Sequence, residues 1–142
     1  MKKRERGFSL VELLIVVVII GVIAAVAIPG LQKARRYAQA GSAIQSLRTI
    51  TTAEILYQRR YNVYGSLAQL APEGTIDPAL GAGDKSGYTF TLVVSSDQIH
   101  FTCNADCQLD PSTGEFYFVD ETTVIRRNTG SPADSSSNPI PQ

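Results

Sequence analysis

The hydrophobic positions of this chain change period twice. From Phe8 to Ile28 they are almost continuous: Ser9 and Glu12 are polar, and Leu13–Ile28 reads LLIVVVIIGVIAAVAI with no polar side chain. These 21 residues would form about 32 Å of helix, enough to cross a bilayer. After Pro29 the pattern becomes amphipathic. Ile44, Leu47, Ile50, Ala53, Tyr57 and Tyr61 recur at spacings of three and four, which places them on one helical face. Further on, Phe90, Leu92 and Val94 alternate with Thr89, Thr91 and Val93, the pattern of a strand with one face against the long helix.

Punctuation residues divide these segments. Pro29 lacks a backbone donor and clashes with the preceding turn, so a kink or local melting is expected there. Gly21 adds slack at a cost of about 1 kcal/mol. Asn62 and Gly65 end the long helix near residue 61 or 62. Ser66 is a good N-cap for a short helix over Leu67–Ala71, which Pro72 cuts short. Residues 72–87, rich in Gly and Pro, read as a loop. Strands are expected at Tyr88–Ser95, Gln98–Cys103, Glu115–Val119 and Thr123–Arg127, with turns at Ser96-Asp97 and Pro111–Gly114. The fold class is α+β: a long N-terminal helix, membrane-spanning in its first half and amphipathic in its second, packed on a small antiparallel head of about four strands. The expected organisation is a basic leader (1–7), an apolar helix (8–29), its amphipathic continuation (30–62), a β-rich head (63–127) and a mobile tail (128–142).

Charge sharpens the picture. The 142-residue chain is neutral overall, but its charges are segregated. Leu31–Arg60 holds six basic residues against Glu54 alone, while the chain from Tyr61 onward holds ten acidic residues against Lys85, Arg126 and Arg127. A solvated helix beside a solvated acidic head is the simplest reading. A sharper one has basic stems meeting acidic heads of neighbouring copies, which would fix register more than it adds affinity. Removing residues 1–7 leaves nine basic and twelve acidic side chains, a net of −3. That balance disfavours nucleic-acid binding, which rests on a basic surface.

Glu12 is the exception within the apolar run. A carboxylate inside a membrane-spanning segment is costly, so such groups are rare and usually functional. A cut after Gly7 would give Phe8 a free amino group, with Glu12 at i+4 as its partner. A secretory signal peptide competes, since Ala24, Ala25 and Ala27 imitate its cleavage site, but its apolar core would span only about 7–15 residues. A single-pass anchor explains length and hydrophobicity, but not why Glu12 follows Gly-Phe beside a leader containing Lys2, Lys3, Arg4 and Arg6. The bias of these charges over Lys33, Arg35 and Arg36 toward a cytoplasmic N-terminus is modest.

The stretch Gly7-Phe8-Ser9-Leu10-Val11-Glu12 behind that leader resembles the processing site of the type IV pilins and related pseudopilins. Gly21 and Pro29 fall where that family's N-terminal helix carries helix-loosening residues. The resemblance is specific from Lys2 to about Leu31 and general thereafter. It implies the type IV pilin fold, cleavage between Gly7 and Phe8 by a membrane-embedded prepilin peptidase, and methylation of the new amine. It further implies assembly with copies of itself into a helical filament, Glu12 setting register by pairing with the Phe8 amino group. The implied partners are the peptidase, an assembly platform in the inner membrane and minor pilins. The subunit would wait in the inner (cytoplasmic) membrane with residues 31–142 exported, then move to the cell surface. A pseudopilin of a type II secretion system, in a periplasmic pseudopilus, is the alternative within the family. A membrane-anchored binding module that never polymerises is the alternative outside it, and an uncut Gly7–Phe8 bond would favour that.

An exported location favours a disulfide between Cys103 and Cys107, pinning a turn at Asn104-Ala105-Asp106. Pilin disulfides usually enclose a longer segment. So short a loop would contribute less than the roughly 3 kcal/mol of a 15-residue one. Two cysteines and the solitary His100 fall short of a zinc site, and His100 reads as a sheet-face residue. Some pseudopilins hold calcium in the head; Asp106, Asp110, Glu115, Asp120 and Glu121 could supply oxygens, but they follow no calcium-loop pattern. No metal and no cofactor are expected. With one histidine and no phosphate-binding loop the chain has no credible catalytic arrangement, so it reads as a substrate of processing and not an enzyme.

Overall fold

The computed structural model describes residues 7–141; the leader residues 1–6 and Gln142 lie outside the described residues. The chain divides into two units, one reaching to Tyr37 and one starting at Ala38. Helix α1, Leu10–Tyr61, contributes to both. It opens where the Leu13 N–H donates to Ser9 O at 3.1 Å. It closes at Asn62, which turns left-handed (φ 58°) and returns its N–H to Gln58 O at 2.8 Å. Glu12 in the first turn and Arg59 and Arg60 in the last complement the helix dipole.

In the first unit α1 runs across Gly21 and Pro29 without interruption. The melted turn expected at Pro29 is therefore absent from this state: a proline deletes one N–H donor, and the bonds on either side persist. Almost every apolar side chain from Phe8 to Leu31 is exposed. An all-round apolar surface gives this helix no face to turn away from its surroundings, and the segment is long and apolar enough to cross a membrane.

The second unit buries its apolar residues. From α1 come Ala40, Ala43, Leu47, Ile50 and Ala53, with Ile44 and Tyr57 at the margin. Tyr61, expected on the same face, is instead exposed, and its hydroxyl donates to Glu73 Oε1 at 2.7 Å. Helix α2, Leu67–Leu70, starts at Ser66, whose backbone N–H donates to Gln69 Oε1 at 2.8 Å. Pro72 ends the α-helical turn as expected, and a 3₁₀ turn, Ala71–Glu73, replaces it. The 72–87 stretch is more structured than a loop. Asp77 caps a one-turn helix α3, Pro78–Gly81, its Oδ1 accepting the Leu80 N–H at 3.0 Å, and a short edge strand follows.

Six strands form one antiparallel meander in chain order: β1 Asp84–Lys85, β2 Tyr88–Val94, β3 Phe101–Cys107, β4 Glu115–Asp120, β5 Arg126–Thr129 and β6 Asn138–Pro139. The register sets Phe90 opposite Ala105, Cys103 opposite Val119 and Tyr117 opposite Arg127. The face carrying Tyr88, Phe90, Cys103, Ala105, Tyr117 and Val119 packs in one core with α1, Leu70, Ile76 and Leu80. The α+β architecture of helix and small antiparallel sheet is as expected, with two more strands than four.

The bounds of β3 and β5 moved. Strand β5 starts at Arg126, not Thr123, because Thr123 is left-handed (φ 65°) and donates its N–H to Asp120 O at 2.9 Å in the turn after β4. Strand β3 begins at Phe101, not Gln98, because the turn after β2 extends further: Gln98 is left-handed and donates its N–H to Ser95 O at 2.9 Å. It also runs on through Asn104-Ala105-Asp106, since Cys103 and Ala105 point into the core while their neighbours do not. The 128–141 segment differs from the mobile tail that the composition of 128–142 suggests; Gln142 lies outside the described residues. Residues through Thr129 complete β5, Asn138–Pro139 pairs with it, Ala133 is buried against Phe116 and Phe118, and Ile140 packs on the main core. Proline is tolerated in β6 because an edge strand has an unused donor side.

Candidate assembly segment and head sites

The expected processing and assembly residues are all in the first unit. Gly7 precedes α1, and nothing lies within 4 Å of where a side chain on it would begin. Phe8 is 74% exposed. The bond between them is thus unobstructed by described residues, as a peptidase substrate requires. Glu12 stands exposed in the first turn of α1, a lone carboxylate on an otherwise apolar surface. Phe8 itself precedes the helix, so the i+4 relation to Glu12 is one of sequence and not of helical contact. Gly21 and Pro29 lie on the exposed apolar helix, and a side chain at Gly21 would meet no neighbour. Glycine there is not demanded by packing inside the chain.

The disulfide is overturned. Cys103 and Cys107 both carry free thiols, and both belong to β3. Four residues along a strand span about 13 Å, against the 4.4–6.8 Å between Cα atoms that a disulfide needs. Cys103 is fully buried, and burial pushes its thiol up to about 12, so it is an inert core residue.

The candidate oxygen ligands are dispersed; four are engaged locally, while Asp106 on β3 keeps a buried Oδ1 with no hydrogen-bond partner among the described residues. Glu115 receives the Tyr117 hydroxyl and pairs with Arg127 at 3.1 Å. Asp110 binds Thr113 and Ser112 in its own turn, and Asp120 accepts the Thr122 N–H at 3.0 Å. His100 Nδ1 lies 2.9 Å from Glu121 Oε1, so His100 is a turn-flank residue in an exposed hydrogen bond and not part of a strand. Among the described residues no three His, Cys, Asp or Glu side chains come close enough together to hold a metal. Several head acids also have basic partners within the chain, Glu73 with Arg60 at 2.8 Å and Asp77 with Lys85 at 2.6 Å.

Glu54 is a buried acid that composition hides. Counted in the basic stretch as its single acid, it has no accessible surface. Its Oε2 accepts the Gly65 N–H at 3.0 Å, and burial raises its carboxyl to about 7 against the lowering effect of that bond. The sequence does carry a signal for it: Glu54 lies four residues after Ile50 and three before Tyr57, on the apolar face by the same periodicity that places them.

Comparison with known proteins bears on the first unit most directly. Residues 2–28 match the family described as the prokaryotic N-terminal methylation motif. The chain is 38% identical over 99 residues to the type IV major pilin protein PilA of Myxococcus xanthus, covering 68% of this chain and 41% of that protein. It is 32% identical over 79 residues to the type II secretion system core protein G of Pectobacterium carotovorum, covering 53% of this chain and 51% of that one. The core protein G of Escherichia coli matches at 29% over 89 residues, covering 60% and 61%. The chain thus spans about half the length of these relatives, all of them filament or secretion components by name and none an enzyme. The resemblance read from Gly7-Phe8 and Glu12 holds, since the N-terminal segment is of the prepilin type.

Proposed function

We propose, from the premise that this chain is a relative of type IV pilins and type II secretion pseudopilins, that it is a structural subunit of a type IV pilus. The observation that carries the proposal is the exposed apolar helix beginning just after Gly7-Phe8 and holding one carboxylate, Glu12. Cleavage between Gly7 and Phe8 frees an amino group, which a prepilin peptidase methylates. In the membrane, acyl chains solvate the 8–28 helix; in a filament, equivalent helices of neighbouring copies do. Glu12 loses water in either setting, and a Phe8 ammonium on its own or a neighbouring copy offsets that loss. A mis-staggered copy would leave a buried charge unpaired, which is how Glu12 sets register. Gly21 and Pro29 are the points at which the helix would yield on entering the filament. The partners in this scheme are copies of the same chain, the peptidase, an inner-membrane assembly platform and minor pilins.

A pseudopilus of a type II secretion system is the second reading, favoured by the two core protein G relatives. The deciding experiment shears filaments from the cell surface and reads this protein's N-terminus by mass spectrometry. A sheared species beginning at N-methylated Phe8 supports the pilus. A cut species confined to the envelope moves the assignment to the pseudopilus. An uncut form starting upstream of Gly7 and retained in the membrane refutes both, leaving an anchored module that does not polymerise.

A further inference from the structure

We propose that Glu54 is a proton-operated latch: protonated, it keeps the 62–66 connection docked on α1, and ionised, it releases it. This inference does not rest on the filament reading. The connection leaves α1 and is held from two sides. On one side the Gly65 N–H donates to Glu54 Oε2 at 3.0 Å. On the other the Tyr64 N–H donates to Gln98 O at 2.9 Å, in the turn between β2 and β3, and the Tyr64 ring meets Phe101 edge-on at 4.9 Å. The connection packs closely at Gly65, where an added Cβ would lie 3.0 Å from the Tyr57 ring and the ring would have to give. The Glu54 carboxyl is therefore sealed between helix and connection, and its Oε1 is buried with no hydrogen-bonding partner among the described residues. An ionised carboxylate so placed keeps one lone-pair set unsolvated, which opening of the connection to water would cure.

The titratable groups facing Glu54 are the Tyr64 phenol from the connection and the Cys103 thiol from β3. Burial pushes both upward, so both stay neutral across the ordinary pH range, and among the described residues no basic side chain acts on the carboxyl. The direction is set by proton linkage. Docked, Glu54 binds its proton up to about pH 7; released into water it returns to its ordinary 4.5. Between those values the released form holds fewer protons, so release becomes about tenfold more favourable per pH unit. Above about 7 both forms are ionised and the effect levels off.

Amide hydrogen exchange on the full chain in detergent micelles tests this, with rates corrected for the intrinsic pH dependence. Protection of the Gly65 and Tyr64 amides should fall roughly tenfold per unit from pH 5 to 7, then level off. The β3–β4 ladder should show no such fall, and Glu54→Gln should abolish it at Gly65. Flat Gly65 protection from pH 5 to 8 in the native chain overturns the latch, as does an unchanged fall in Glu54→Gln. Should that variant not fold, a carbon-13 titration of the native Glu54 carboxyl decides: a midpoint near 7 supports the latch, and one near 4.5 refutes it.

Discussion

Ile19 and Leu47 are aliphatic residues on the same helix, yet Ile19 is 54% exposed and Leu47 has no accessible surface. The difference lies in the pattern around each residue. Around Ile19 every direction is apolar, so no face can be hidden while another meets water. Around Leu47, Arg48 and Thr49 are turned outward while Ala43, Ile50 and Ala53 turn inward to a sheet the chain itself supplies. The 38–141 unit carries the partner for its apolar face within its own sequence. The 8–37 segment carries none in the described structure, and its partner in the proposed function is lipid or other copies.

The largest way to test that contrast is Glu12→Val, which makes the first segment uniformly apolar. Leaving a Phe8 ammonium buried without its partner is worth about 3–5 kcal/mol. Processing should stay largely intact while filament yield falls more than a hundredfold; native yield would remove Glu12 from the register role. A paired substitution comes next. Leu47→Ala should destabilise the head by about 2–5 kcal/mol in thermal melts, because it empties a closed core. Ile19→Ala should leave that melt within about 0.5 kcal/mol, since its contacts lie outside the folded unit.

Proton linkage supplies the third test, inside the folded unit. The folded-state value of Glu54 lies above its ordinary 4.5, so the stability is whole below about pH 4.5, declines as pH rises to about 7, and is fully lost above. The loss amounts to about 3 kcal/mol, at roughly 1.36 kcal/mol for each pH unit that separates the two values. Glu54→Gln should flatten that decline in denaturant melts recorded from pH 4 to 8. The smallest effect is expected from a reductant. With Cys103 and Cys107 along one strand, dithiothreitol should leave the melting temperature unchanged, and alkylation should reach half-buried Cys107 before Cys103.

Legibility in the sequence tracks the range of the interactions. The apolar segment, the amphipathic stretch and the end of α1 near Asn62 depend on residues within a turn or two of each other, and all are readable. The N-cap at Ser66 and the strand at 88–94 are readable for the same reason. The β3 boundaries are not, because Asn104-Ala105-Asp106 looks like a turn until Phe90 and Tyr117 are set on either side of Ala105. Strand β6 has two residues of poor strand propensity, Asn138 and Pro139, and exists only because β5 offers an edge.

The sequence alone determined the features that depend on local chemistry: a Gly7-Phe8 pair ahead of an apolar run, a lone carboxylate at Glu12, an apolar helix and an amphipathic one. Tertiary structure alone decided the rest. It placed Cys103 and Cys107 along one strand where spacing suggests a closed turn. It folded the polar 128–141 segment onto Phe116, Phe118 and the main core, and it sealed Glu54 beneath Gly65. Each of these depends on the distance and dielectric between residues far apart in the chain, and only the packed fold sets those quantities.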